Sequence, residues 1–417
     1  MPICSSTPIP ADLCSQQGHA DSQDCSDGLD AGLDRAAGSG RWRALVPRAR
    51  RLLEAAAVGA VLTASLLPHA ALAGVSSLSK LFVFGDSLSD SGNGGGLTGG
   101  LFTPSPPYAG NRASNGPVAV EQLWQLFNPG DTNFKPSSQG GTNYAILGAT
   151  SGKENNLQYN TLVSSIFVNK GNALQLQSFL AAAPSFDPQT SLFVVWLFPN
   201  DVLYYRSSGR GDSAGTYNGF DGTATTLQAI DELAVSNVIG TVNALAGQGA
   251  RHFLVVNSPD LGRIPAFLSG AEAADMTQAS QDFNSLLETE LATFTVANPL
   301  LDIELFQLDD AMNDLVNSPA SHGISNVTNA CLTSVIPATV CSDPSQYLYW
   351  DSFHPTTVGH GLIAQQMYNT VYQPAPTPGP LPLLGSLAAL GWSRRLRRRQ
   401  RQQGQSVAGG GLAMRQG

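Results

Sequence analysis

Three short stretches carry residue types that could act together on a substrate. In Gly85-Asp86-Ser87-Leu88-Ser89-Asp90-Ser91-Gly92-Asn93 a serine follows an apolar run and lies close to a glycine. Its hydroxyl and its backbone N–H can therefore face one cleft. In Asp351-Ser352-Phe353-His354-Pro355-Thr356 an aspartate precedes a histidine by three residues. At that spacing the carboxylate can accept the Nδ1 proton and hold the imidazole, leaving Nε2 free to take a proton from a serine hydroxyl. A third stretch, Phe198-Pro199-Asn200-Asp201, places an amide and a carboxylate after another apolar run. Each stretch alone has an ordinary structural use, because Asn-Asp favours turns and Asp-x-x-His serves as a helix cap. Acting together they fit the general logic of a serine nucleophile activated by an oriented histidine.

Groups so far apart in the chain need a scaffold that gathers loop ends. The run 80–84 is short, apolar and followed by Gly85-Asp86, the profile of a buried parallel strand entering a loop. Similar runs occur at 143–147, 192–197, 252–257 and 301–306. Between them helical patterns cover 118–127, 173–183, 225–246 and 272–297, and 356–372 closes the body; Pro117 stands at the entry to the first. Alternating strands and helices predict βαβ units and a parallel sheet covered on both faces. Ligands of such sheets bind beyond the carboxyl ends of the strands, where all three stretches fall.

Charge narrows the function further. Residues 74–380 hold nine Lys and Arg against 24 Asp and Glu, a net −15, which speaks against a nucleic-acid partner. The ends differ from this acidic body. Residues 41–51 are basic, 52–67 largely apolar, and Ala71-Leu72-Ala73 forms a small-residue site, so 41–73 reads as a secretory signal cleaved after Ala73. Residues 1–40 read as a disordered leader or a misassigned start. At the other end a Pro-rich linker (374–382) leads to an apolar run and an Arg cluster (383–401), with 402–417 expected to be disordered. Cys4, Cys14 and Cys25 would leave with the leader; Cys331 and Cys341 remain as a pair expected to bond in an oxidising compartment. No CxxC or HExxH pattern occurs. No metal or cofactor is expected.

Taken in order, the blocks resemble the GDSL lipase/esterase family of the SGNH hydrolase superfamily, from Leu81 to about Tyr372. Asn143-Tyr144-Ala145 with Gly148-Ala149 is similar to that family's second block. The resemblance implies a single catalytic domain (74–373) with a three-layer α/β/α, flavodoxin-like parallel sheet. It makes Ser87 the nucleophile, His354 the base and then acid, and Asp351 its orienter. The N–H groups of Ser87 and Gly148 and the Asn200 amide become the oxyanion donors. Two positions depart from the pattern: Phe198 stands where the third block usually has glycine, and Leu147 precedes Gly148. A phenyl ring beside Asn200 could line the acyl pocket, narrow it, or displace the loop. The C-terminal tail resembles a PEP-CTERM sorting signal over about Pro378 to Arg399, with Pro378-Gly379-Pro380 where Pro-Glu-Pro is usual. This implies transient membrane contact and removal by an exosortase-type protease, hence a secreted or cell-envelope protein.

The expected substrate is a small-molecule or lipid ester. Phe102, Phe198, Tyr204 and Tyr205 lean towards an acyl chain; a polysaccharide O-deacetylase and a non-catalytic envelope or matrix protein retaining the fold are the alternatives. Asp90, Asn93 and Asp201 are expected to fix loops, and residues 94–111 to lie over the cleft. Gly211-Asp212-Ser213-Ala214-Gly215 matches a nucleophile elbow but lacks the flanking strand and helix. His360 is expected to pack or cap, and His252 and His322 have no acidic neighbour at useful spacing.

Overall fold

Burial dictates the centre of the molecule. The computed structural model describes residues 77–372 except 209–212, 215–221 and 225. Four strands, β1 (Lys80–Gly85), β2 (Ser191–Trp196), β3 (His252–Val256) and β4 (Asp302–Phe306), pair in parallel in that order. From Leu81 onward β1 is buried, as are all of β2 and β3, which is why these runs are apolar throughout rather than alternating. At the edge, β4 is mostly half-buried.

Beyond β1 the expected strand at 143–147 is an extended edge segment. Its hold on β1 consists of Val83 N–H donating to the Thr142 carbonyl, Tyr144 N–H to that of Val83 and Ile146 N–H to that of Gly85. Asn143 turns its backbone outward to Lys135 and Ser137, so regular pairing is limited to one bridge. With this segment counted second in chain order, the sheet runs 2-1-3-4-5, the flavodoxin-like order. Its direction of growth reverses between β1 and β2, which opens a crevice there. Gly85, Trp196, Val256 and Phe306 are in register, so the strands end level along one edge.

The flanking helices are α1 (Ala119–Phe127), α2 (Asn172–Ala182), α3 (Pro199–Ser208), α4 (Leu227–Gly247), α5 (Ala273–Ala297), α6 (Leu308–Asn317) and α7 (Thr357–Val371). Helix α1 packs on α7, and α4 on α5. Two of them correct the sequence reading. The stretch beginning Pro199-Asn200-Asp201, where no helix is expected, starts α3, with proline at the first position and Asp201 in the first turn. Helix α6 is an addition to the expected elements; its Leu308, Ala311, Met312 and Leu315 recur at helical spacing and are buried.

A small insertion stands beside this frame. Strands Leu332–Val335 and Ala338–Val340 form a hairpin, and Cys331 and Cys341 are disulfide-bonded across its base with Cα atoms 4.8 Å apart. The leader, the signal segment, the linker, the sorting tail, Cys4, Cys14 and Cys25 lie outside the described residues. Of the elbow-like motif, Ser213–Ala214 is a two-residue strand paired antiparallel with Gly222–Thr223. The other three residues of that motif are not described.

Of the outcomes considered for Phe198, lining the pocket is the one the structure overturns. Its ring is fully buried and stacks on Phe283 of α5, centroids 3.8 Å apart, and it does not line the site cavity. The backbone there has φ +130°, a region that favours glycine. The phenyl thus anchors α3 to α5 at the cost of local strain. Phe198→Gly should relieve strain of ~1–2 kcal/mol but delete a buried ring worth ~3–5 kcal/mol, for a net loss of about 1–4 kcal/mol. Denaturant unfolding measures that loss.

Candidate active site

The level strand ends deliver the three sequence blocks to the crevice. Ser87 follows β1 and is nearly buried; its Oγ lies 2.8 Å from His354 Nε2. His354 Nδ1 lies 2.9 Å from each Asp351 oxygen. Oδ1 of Asp351 also accepts the backbone N–H groups of Phe353 (2.8 Å) and His354 (2.9 Å), closing the turn between acid and base. Sequence spacing alone anticipates this local geometry. It does not reveal Tyr108, whose hydroxyl donates to Asp351 Oδ2 at 2.9 Å from 243 residues away.

The residues expected to supply oxyanion donors, Ser87, Gly148 and Asn200, line the same cavity. Among the described residues the N–H groups of Ser87 and Gly148 have no protein acceptor. Gly148 has φ +76°, and a Cβ there would lie 2.5 Å from Asn155 Oδ1 and 2.8 Å from Leu157 Cγ, so only glycine fits. Asn200, in the first turn of α3, donates one Nδ2 hydrogen to Asp86 Oδ2 at 3.0 Å, which leaves the other available. Asp86 belongs to the first block, where spacing assigns it no role; its other oxygen accepts the Leu88 N–H at 2.9 Å. It thereby ties the serine loop to the Asn200 amide.

Three further polar residues act as the loop-fixing groups the sequence suggests. Asp90 Oδ1 accepts from the N–H groups of Gly92 and Asn93, and Oδ2 from those of Gly94 and Leu147, all within 2.8 Å. Asn93 Nδ2 donates to the carbonyls of Asn143 and Ala145, while Asn143 Nδ2 donates back to the Ser89 carbonyl. Asp201 accepts from both the N–H and the hydroxyl of Ser151, which joins the loop after Gly148 to the start of α3. Leu147 lines the cavity, and its N–H donates to Asp90 at 2.8 Å.

Electrostatics separate the groups. Burial disfavours the His354 imidazolium, but Asp351, through charge and hydrogen bond, and then Asp86 outweigh it and raise the imidazole above 6.5. Burial likewise works against the Asp351 carboxylate, yet His354 and the N–H groups of Phe353 and His354 hold it below the usual range. Burial pushes the Asp86 carboxyl up to about 6 against the pull of Leu88, His354 and Asn200. His360, on α7, is fully buried and driven down to about 3, so it stays neutral in its packing position. The other two histidines correct the reading from spacing: His252 Nδ1 pairs with Asp302 at 2.8 Å and His322 Nε2 with Asp314 at 2.9 Å. His252 opens β3, at the amino end of the sheet, so its pair is structural. Among the described residues no group of His, Cys, Asp and Glu could hold a metal ion.

Against the reacting atoms lies a cavity of about 170 Å³, walled mainly by apolar side chains. Trp196 of β2, Leu203 of α3, Ile264, Met312 of α6 and Ile363 of α7 contribute, with Phe102 from the cleft loop. Of the aromatics expected here only Phe102 lines it. Tyr204 and Tyr205 do not, since Tyr204 is buried against Tyr159 and Gln158.

A Ser-His-Asp constellation at the switch point of a flavodoxin-like sheet, flanked by free N–H donors and an apolar cavity, is the architecture of an esterase. Residues 81–367 match the GDSL-like Lipase/Acylhydrolase family, and the chain belongs to it. It is a carboxylic ester hydrolase. Among its relatives, a phosphatidylcholine-sterol acyltransferase of Aeromonas hydrophila is 29% identical over 332 residues, covering 69% of this chain and 89% of that protein. A GDSL esterase/lipase of Arabidopsis thaliana is 24% identical over 342 residues, covering 70% and 86%. Among solved structures, a catalytic mutant of an acetylxylan esterase from Geobacillus stearothermophilus is 15% identical with a TM-score of 0.35, covering 72% of this chain and 96% of that one.

The raised His354 gives a signed pH dependence. The base must be neutral to act, so kcat/KM should rise with pH through an apparent pKa above 6.5. Asp351→Asn removes the main group that raises the imidazole. It should cut turnover by about 10⁴-fold and move the acid limb to lower pH, both readable from a kcat/KM profile.

Proposed function

We propose that the protein is an exported serine esterase that removes medium or long acyl chains from lipid-type esters through an acyl-enzyme. Ser87 Oγ attacks the acyl carbonyl as His354 Nε2 takes its proton, and Asp351 stabilises the imidazolium. Negative charge developing on the carbonyl oxygen meets the N–H groups of Ser87 and Gly148 and the free Nδ2 hydrogen of Asn200. Each such donor contributes on the order of 10²–10³ in rate. His354 then protonates the leaving alcohol, and a water activated by the same imidazole releases the acid and restores Ser87.

The apolar cavity beside Ser87 is the observation that carries the acyl preference, since walls that include Leu203, Met312 and Ile363 offer an acyl chain apolar surface to bury. The relative named as a phosphatidylcholine-sterol acyltransferase supports a phospholipid as acyl donor. Export rests on the signal-like 41–73 and the Cys331–Cys341 bond; the tail adds transient membrane contact before cleavage near Pro378-Gly379-Pro380.

A series of p-nitrophenyl esters tests the preference. Each methylene moved from water into the cavity contributes ~0.8 kcal/mol, so kcat/KM should climb about fourfold per methylene from acetate until the cavity is full. Ser87→Ala should abolish the activity. A flat or falling series, with acetylated xylan the better substrate, would instead establish the deacetylase. A folded protein that neither turns over esters nor labels with a fluorophosphonate would be the non-catalytic alternative.

A further inference from the structure

The segment carrying acid and base is gripped from across the cleft. Ser114 Oγ donates to the Pro355 carbonyl at 2.9 Å, and Asn115 Oδ1 accepts the Thr357 N–H at 2.8 Å. At the head of this clamp stands Tyr108, among the described residues the one side chain besides His354 that hydrogen-bonds the Asp351 carboxylate. Oδ1 has two backbone N–H donors of its own turn, but Oδ2 has only Tyr108 and the shared Nδ1 proton. Without the phenol no described residue but His354 itself fixes the rotation of the carboxylate about its Cβ–Cγ bond from the Oδ2 side. The phenol is well seated: its ring meets that of Trp350 edge-on at 6.4 Å, within a cluster formed by Cys331, Leu332 and Trp350. Backbone bonds from Cys331 to Tyr349 and from Leu332 to Trp350 fix that cluster to the strand leading into Asp351.

We infer that Tyr108 is a positioning residue: its hydroxyl holds the Asp351 carboxylate with both oxygens towards His354 Nδ1, and so sets the orientation of the base. This rests on the acyl-enzyme reading above. A phenol donating to the carboxylate also withdraws charge from it, moderating its pull on the imidazolium. The titratable groups facing the acid–base pair are Asp86 from the serine loop, His360 from α7 and Tyr108 itself. Loss of the hydroxyl therefore leaves Asp351 more basic and His354 harder to deprotonate, the opposite sign from loss of Asp351.

Tyr108→Phe keeps the ring against Trp350 and removes only the donor. Steady-state kinetics should show kcat reduced roughly tenfold with KM within twofold, as for loss of one hydrogen bond to a charged group. The acid limb of the kcat/KM profile should move to higher pH by a few tenths of a unit, while the melting midpoint changes little. A purely packing role predicts no movement of the limb. Asp351→Asn measured alongside separates the role of Tyr108 from that of the triad. If Asp351→Asn is crippled while Tyr108→Phe keeps normal kcat and an unmoved limb, the positioning role is wrong and the triad stands. If Asp351→Asn is also normal, the triad reading fails and the role of Tyr108 with it.

Discussion

One buried carboxylate holds the site in register. Asp90 is 1% exposed and accepts four backbone N–H groups, three from its own loop and one, Leu147, from the loop that presents Gly148. Burying a carboxylate costs several kcal/mol unless its lone pairs are satisfied, and burial pushes this one up to about 6. The four donors offset that cost only while the two loops keep their mutual position. Any slippage between them would leave a buried charge unpaired, so the spacing between the Ser87 and Gly148 N–H groups is specified by an electrostatic penalty rather than by shape alone.

Around this constraint the remaining contacts distribute the load. Asp86 links the serine loop to Asn200, Asp201 links the Gly148 loop to the head of α3, and Phe198 seats that head on Phe283. Each bond crosses between elements that the level sheet edge has already brought together. Polar groups set direction, and aromatic packing sets depth. Asn200 is aimed by its side-chain bond to Asp86, and the strained backbone just before α3 is that of Phe198, two residues earlier.

The legible parts of the site are those encoded locally. Asp351 and His354 lie three residues apart and bond through their own turn, and Ser87 sits close to the glycine that ends a strand, so spacing reveals them. The Asn200 amide stands out by its place after an apolar run, but its role as a donor, like the whole of Gly148, is reached only through the resemblance. Tyr108, like the Asp302 partner of His252, is joined to its carboxylate or imidazole through tertiary structure, which no local spacing reports. The sheet is readable because buried parallel strands are apolar throughout. The edge segment at 143 is less regular than its pattern because Asn143 spends its backbone on a neighbouring loop. Helix α3 escapes a sequence reading because Pro-Asn-Asp opens turns and helices alike, and the place of Phe198 escapes it because its ring turns away from the residues it precedes.

The walls of the cavity and the reacting groups come from different parts of the chain. Ser87, Gly148, Asp351 and His354 sit on loops fixed by polar bonds, whereas Leu203, Met312 and Ile363 project from three helices whose other faces join the core. A change of side-chain volume at Met312 or Ile363 deepens or shortens the chamber without touching a bond of the triad. Such a division lets a lineage reshape the cavity by single core substitutions while the polar bonds of the site are inherited intact. The scaffold is therefore evolvable in substrate range at positions where selection on mechanism is silent.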